Sequence, residues 1–255
     1  MNRFILLIAG FLVLTGLASG DVNCPGDYEK HLQGIATDDR DNIYWSFTTV
    51  LVKTNGQGKL LEHVNVPSHY GDLTWHDGKV FVAVNLGKFN EETGAAKSWV
   101  YVHDAETLAL LSKHAVPEVV HGAGGMEWYN GRFFVVGGLP PTHITNYVYE
   151  YTDEFEFVCR HIIESGQTLK GIQTICRGQD GTWWFGCYGK PAVTLRTNDR
   201  FVFLERIEFN SSYGIARTKD DNVLLIGKDR LVGKRHVCSV VRTSVENLLP
   251  KKAGN

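Results

Sequence analysis

Dense β-branched and aromatic runs recur along this chain, each just after a polar pair of the kind that makes a tight hairpin. Ile43-Tyr44-Trp45 follows Asp41-Asn42, Val80-Phe81-Val82 follows Asp77-Gly78, and Phe133-Phe134-Val135 follows Asn130-Gly131. Trp183-Trp184-Phe185 and Val223-Leu224-Leu225 repeat the arrangement after Asp180-Gly181 and Asp221-Asn222. Asn, Asp and Gly tolerate the positive φ that two-residue hairpin turns require. Before each pair stands a short stretch opening on glycine, at Gly34, Gly71, Gly125, Gly171 and Gly214. No sustained 3.6-residue period competes with this pattern.

Each unit continues into a third strand: Val50–Lys53, Trp99–His103, Tyr147–Tyr151, Val193–Arg196 and Val237–Arg242. The first four units then turn into a fourth strand, at Lys59–Val66, Leu108–Val116, Phe155–Ile163 and Phe201–Phe209. Strand, tight turn, strand, loop, strand, turn, strand is one propeller blade, and five glycine starts imply five blades. The expected fold class is all-β, a five-bladed β-propeller of four-stranded antiparallel blades. A β-sandwich also uses short, evenly spaced strands, but the same-register glycine-led first strand favours the propeller. The fifth unit lacks a fourth strand of its own, and Val22–Glu29 lies in the matching place. That stretch should close blade five from outside, putting Cys24 across from Cys238 and making a Cys24–Cys238 disulfide the expected seam.

The first 20 residues read as a cleavable secretory signal: Asn2-Arg3, an apolar Phe4–Leu14 core, then Ala18-Ser19-Gly20. The domain expectation is therefore a signal peptide over 1–20 and one propeller domain over 21–255. A secreted protein, extracellular or periplasmic, follows, in a compartment where disulfides persist. Five cysteines leave at least one unpaired, and none has the paired spacing of a zinc site. A net charge of −2 and no basic cluster argue against a nucleic-acid or membrane-surface partner. A monomer with a small-molecule or saccharide ligand, and no membrane span, is expected.

Propeller ligands collect at the channel mouth, where first strands begin. The five units offer His31 and Gln33; His69, Tyr70 and Asp72; His121 and Glu127; Lys170 and Gln173; Tyr213 and Arg217. Three readings stand open for His31, His69 and His121: ligands of a divalent metal ion, with Asp72 or Glu127 completing the set; general acid–base groups; or hydrogen bonds to loop carbonyls. Asp72, Glu127 and His121 form the candidate catalytic set, since two carboxylates facing one pocket can share acid and base roles. Gln33, Tyr70, Lys170, Gln173, Tyr213 and Arg217 are the candidate substrate-binding set. The long loops Asn85–Ser98 and Gly137–Asn146 should rim the pocket.

The run His31-Leu32-Gln33-Gly34-Ile35, followed by Asp41-Asn42-Ile43-Tyr44-Trp45-Ser46, resembles the opening blade of plant- and bacterial-type glutaminyl cyclotransferases. That family is made of secreted five-bladed propellers. Its acidic second-blade strand is replaced here by His69-Tyr70-Gly71-Asp72, so what the resemblance implies is the fold. The placement of Asp72 and Glu127 on successive blades also looks like that in five-bladed glycosidases. The functional expectation is a secreted hydrolase or lyase acting on a small polar or saccharide substrate at the channel mouth. The alternative is a non-catalytic extracellular binding module, lectin-like or scaffold.

Overall fold

The computed structural model describes residues 21–249 apart from 93 and 221. The secretory signal expected over 1–20 lies outside the described residues. A two-residue strand β1 (Val22–Asn23) comes first. Blade one is β2 (Leu32–Thr37), β3 (Ile43–Phe47), β4 (Val50–Thr54) and β5 (Leu60–Asn65). Blade two is β6 (Tyr70–His76), β7 (Lys79–Asn85), β8 (Ser98–Asp104) and β9 (Leu110–Ala115). Blade three is β10 (Ala123–Tyr129), β11 (Arg132–Gly137), β12 (Asn146–Tyr151) and β13 (Phe157–Ile163). Blade four is β14 (Leu169–Arg177), β15 (Trp183–Tyr188), β16 (Val193–Thr197) and β17 (Phe203–Ile207). Blade five joins β18 (Ile215–Arg217), β19 (Val223–Val232) and β20 (Arg235–Ser244) to β1, and a short helix α1 (Val245–Leu248) follows. Five four-stranded antiparallel sheets result, the five-bladed propeller read from the repeats.

The turn chemistry matches its sequence. Asp77-Gly78 and Asn130-Gly131 both hold positive φ at both positions, 46° and 71° in the first pair and 50° and 74° in the second. That backbone twist suits the flanking strands. The inner strands of blades one to four each carry a register shift beside their glycine, at Leu32/Gly34, Tyr70/Leu73, Ala123/Gly125 and Leu169/Ile172. Close backbone approach explains the glycine at Gly71. A Cβ there would meet the Gly124 carbonyl of the next blade.

Five apolar clusters hold the ring, each between consecutive blades. Phe81, Val100 and Val102 of blade two pack on Phe133, Val135 and Tyr151 of blade three. Trp183 and Phe185 of blade four pack on Phe134 and Val136 of blade three. The seam is built the same way: Cys24, Cys238 and Leu225 of blade five meet Leu32, Trp45 and Phe47 of blade one. Each blade thus buries both faces, which is why the runs read as continuous hydrophobics. No helix among the described residues is long and apolar enough to cross a membrane.

The N-terminal segment closes blade five as expected. Val22 pairs with Val240 and Asn23 with Ser239, and Cys24 N–H donates to the Cys238 carbonyl at 2.9 Å. The disulfide expected there is not formed. Cys24 and Cys238 are free thiols, as are Cys159, Cys176 and Cys187. The two seam sulfurs engage different partners: Cys24 Sγ lies 3.3 Å from the Tyr28 hydroxyl, and Cys238 Sγ donates to Asp229 Oδ1 at 3.2 Å. The β19–β20 hairpin runs longer than its apolar core predicts. Its outer half is held by the same segment, through a bridge between Tyr28 and His236.

Candidate functional site

All inner strands run in one direction, so their starts gather at one mouth of the channel and their ends at the other. At the upper mouth, where they start, lies a cavity of about 410 Å³. His31 and Gln33 of blade one, His69 of blade two, and Lys170 and Gln173 of blade four line it. Asn85, Phe89 and Asn90, from the long β7–β8 loop expected at the rim, and Tyr188 from the end of β15 complete the wall. Among the described residues no carboxylate lines it.

Local bonds aim these groups. His31 Nδ1 sits 2.8 Å from the Leu32 carbonyl. A neutral imidazole donating there presents a basic Nε2. The His31 ring packs edge-on to Tyr213 at 5.7 Å and to Tyr188 at 6.0 Å. His69 is held below its ordinary pKa, first by burial and then by the neighbouring His31. Lys170 adopts φ 62°, and its carbonyl accepts the Gln173 amide at 2.8 Å. Gln33 donates to Thr48 Oγ1 at 3.0 Å, which leaves its amide oxygen available.

None of the candidate catalytic set, Asp72, Glu127 and His121, lines the upper cavity. His121 stands at the upper rim, with Nδ1 3.1 Å from the Glu91 carbonyl and its ring 5.1 Å from that of His143. Asp72 lies fully buried on the channel axis, its Oδ2 accepting the Ile175 N–H at 3.2 Å. Glu127 lies deeper still. It lines a second cavity of about 210 Å³ at the lower mouth with Arg217, His76 and Asp38. Its Oε1 accepts the Thr74 hydroxyl at 3.1 Å and lies 3.7 Å from Arg217. The reason is depth along the strand. Asp72 comes one residue after its glycine, Glu127 two and Arg217 three, at roughly 3.3 Å each. Gln173 also follows its glycine by two, yet reaches the upper mouth because β14 has two register shifts.

Burial dominates both carboxyls. It raises Asp72 well above the usual carboxylate range, despite peptide N–H donors including Ile175 and Leu73 that pull it down. It also raises Glu127, against the pull of Arg217.

Two further candidates lie away from the upper mouth. Tyr70 does not reach the mouth. Its ring is packed between blades one and two, and its hydroxyl bonds His103 Nε2 at 3.0 Å, since the β6 irregularity turns it sideways. Arg217 belongs to the lower mouth. Among the described residues His31, His69 and His121 do not bring their ring nitrogens within reach of one ion; Glu150, Cys159 and His161 on blade three do. Sequence reasoning missed Tyr188 and the Asp229–His236 pair behind His31, joined at 2.7 Å. Position at the end of a second strand was the available signal for Tyr188. Nothing local marked the pair.

No family model matches the chain, and no curated protein does so. Among solved structures it is similar to a chain of a nidogen/laminin complex. The TM-score is 0.52 at 9% identity, covering 87% of this chain and 78% of that one. A protein of unknown function from Bacteroides caccae gives a TM-score of 0.46 at 13% identity, over 76% of this chain and 69% of that one. The Dos1 propeller gives 0.44 at 10% identity, over 78% of this chain and 53% of that one. At 9% identity the likeness to the nidogen/laminin chain is one of fold.

Proposed function

We propose that the upper mouth is the functional site of an exported protein, and that it takes a small saccharide-like ligand bearing a carboxylate. The observation that carries this reading is the composition of its wall: two imidazoles and one ammonium and, among the described residues, no lining carboxylate. A cation without an acidic partner suits an anionic ligand group. Carboxamides and hydroxyls such as Gln33, Gln173 and Tyr188 suit a ligand rich in hydroxyls, and Phe89 supplies an apolar wall.

The chemistry such a wall supports is elimination. Removal of the proton α to a substrate carboxylate needs a neutral base and a cation that steadies the charge developing on that carboxylate. His69, kept neutral by burial, is the base, and Lys170 is the cation. His69 takes the α-proton, and the electron pair of the broken C–H bond forms the new double bond as the bond to the β-oxygen breaks. That oxygen leaves as an alcohol by taking the proton from the His69 imidazolium, which returns to its neutral form. Hydrolysis by a pair of acids is less suited to this mouth, because Asp72 and Glu127 stand below it.

The test is to incubate the protein with uronic-acid oligosaccharides and to follow the ultraviolet absorbance of an unsaturated uronide, with calorimetric binding in parallel. His69→Gln should lose turnover while keeping binding, and Lys170→Gln should lose binding. Binding without turnover would make the mouth the receptor site of a non-catalytic module. Failure of every uronide to bind would overturn the reading.

A further inference from the structure

Away from the channel, on the outer half of blade three, three groups of metal-ligating chemistry meet. Glu150 on β12 is the cross-strand partner of Cys159 on β13. His161 follows Cys159 by two, and residues two apart on a strand share a face. Cys159 Sγ lies 3.4 Å from His161 Nε2 and 3.7 Å from Glu150 Oε2. His161 Nε2 and Glu150 Oε2 are 2.8 Å apart. The three side chains are neither fully buried nor fully exposed.

We infer that Glu150, Cys159 and His161 form a three-ligand site for a zinc-class divalent cation. A tetrahedral zinc ion holds thiolate sulfur and imidazole nitrogen about 3.6 Å apart, and two nitrogen or oxygen ligands about 3.4 Å apart. The sulfur contacts already have that spacing. Only the imidazole–carboxylate hydrogen bond must open, by roughly half an ångström, as the ion replaces its proton. Thiolate and carboxylate supply two negative charges, and thiolate with imidazole is the donor pair that favours zinc over calcium or magnesium.

The surroundings fit a bound ion. Arg132 Nε lies 3.3 Å from Glu150 Oε1. It holds the carboxylate by one oxygen and leaves the other for the metal, as groups behind a ligand commonly do. The Phe201 ring, 4.5 Å from that of His161, fixes the imidazole plane from blade four. Glu150 also lines a cavity of about 290 Å³ shared with Asp199. Solvent therefore reaches the cluster, and a fourth ligand can be water. Three protein ligands with an open fourth position is the arrangement that catalytic zinc sites use.

The experiment uses the chain from residue 21 onward, stripped of metal with a chelator and titrated with Zn²⁺ and, separately, Co²⁺. One equivalent of zinc should bind, and cobalt should give a thiolate charge-transfer band. Cys159→Ser and His161→Gln should each weaken zinc by ~100-fold or more, beyond the roughly 10–100-fold that changes behind a ligand cause. His31→Gln should leave zinc binding unchanged. A second readout avoids any folding defect in the variants: in the unaltered protein, zinc should protect Cys159 from alkylation, mapped by mass spectrometry. Zinc affinity unmoved by Cys159→Ser, no thiolate band, or Cys159 alkylated equally with and without zinc would each overturn the site.

Discussion

Asp72 of blade two reaches across the channel axis and accepts the peptide N–H of Ile175 in blade four at 3.2 Å. Among the described residues its other oxygen is buried without a hydrogen-bond partner. A group read from sequence as a catalytic acid thus ties the ring together at its centre. Burial raises its pKa in the folded chain, so folding favours the protonated form. The stabilising share is complete below the unfolded value near 3.8 and is lost as pH rises through the folded value. Asp72→Asn keeps the acceptor for Ile175 and removes the charge. Its stability relative to the parent should therefore rise with pH through the acid-to-neutral range. Urea unfolding of both proteins across the acid-to-neutral range checks this, and a difference independent of pH would contradict it.

Gly34 is the floor on which Asp72 sits. A Cβ at Gly34 would meet the Asp72 carboxyl and backbone. Gly34→Ala should therefore destabilise by ~2–3 kcal/mol, as overpacking does. Gly78→Ala is the comparison, because Gly78 has φ 71° and open space around it. It should lose only ~1 kcal/mol, the strain of that backbone. Equal losses in thermal or urea unfolding would argue against a crowded axis.

The seam rests on Tyr28. Its ring stacks on Phe47 at 3.7 Å between centroids, and its hydroxyl donates to the Pro25 carbonyl at 2.7 Å. Tyr28→Ala should cost about 2–3 kcal/mol, below the full burial figure because the ring is half-buried. Hydrogen exchange should then rise first in β1 and the outer half of β20. Uniform loosening of all five blades would show that closure does not depend on this segment.

Thiol reactivity should rank the cysteines. Burial pushes Cys24 up to about 12 and also raises Cys187 to about 12, so neither presents thiolate at neutral pH. Cys159 is the most exposed of the five. In metal-free native protein Cys159 should be alkylated first, and denaturation without reductant should release all five. A Cys24–Cys238 peptide surviving denaturation without reductant would contradict the free-thiol seam.

His69 sets the acid limb of the proposed activity. Its pKa lies below the ordinary 6.5, through burial and then His31, and only the neutral ring accepts a proton. Activity should rise with pH across a midpoint below 6.5 and stay level above it. A midpoint above 6.5 would assign the base to another group.

The blade rhythm was legible in the chain because its causes are local. Turn pairs such as Asn130-Gly131 need only their own backbone freedom, and runs such as Phe133-Phe134-Val135 need only to be buried on both faces. The closing of blade five by Val22–Asn23 was legible by elimination, since the fifth unit lacked an outer strand. Upper-mouth residues such as His31, His69 and Lys170 could be read from position, as they precede the inner-strand glycines. Glu127 could not be placed this way, because strand depth and bulges decide which mouth a side chain reaches. Tyr70 could not either, for one irregularity turns it from channel to blade interface. The thiol state of Cys24 and Cys238 depends on competing partners, Tyr28 and Asp229, and Asp229 lies about two hundred residues from Cys24 in sequence. The meeting of Glu150 with Cys159 and His161 depends on hairpin register. Periodicity encodes which residues are buried in a strand, but which side chains face each other is settled only when register, bulges and ring closure act together.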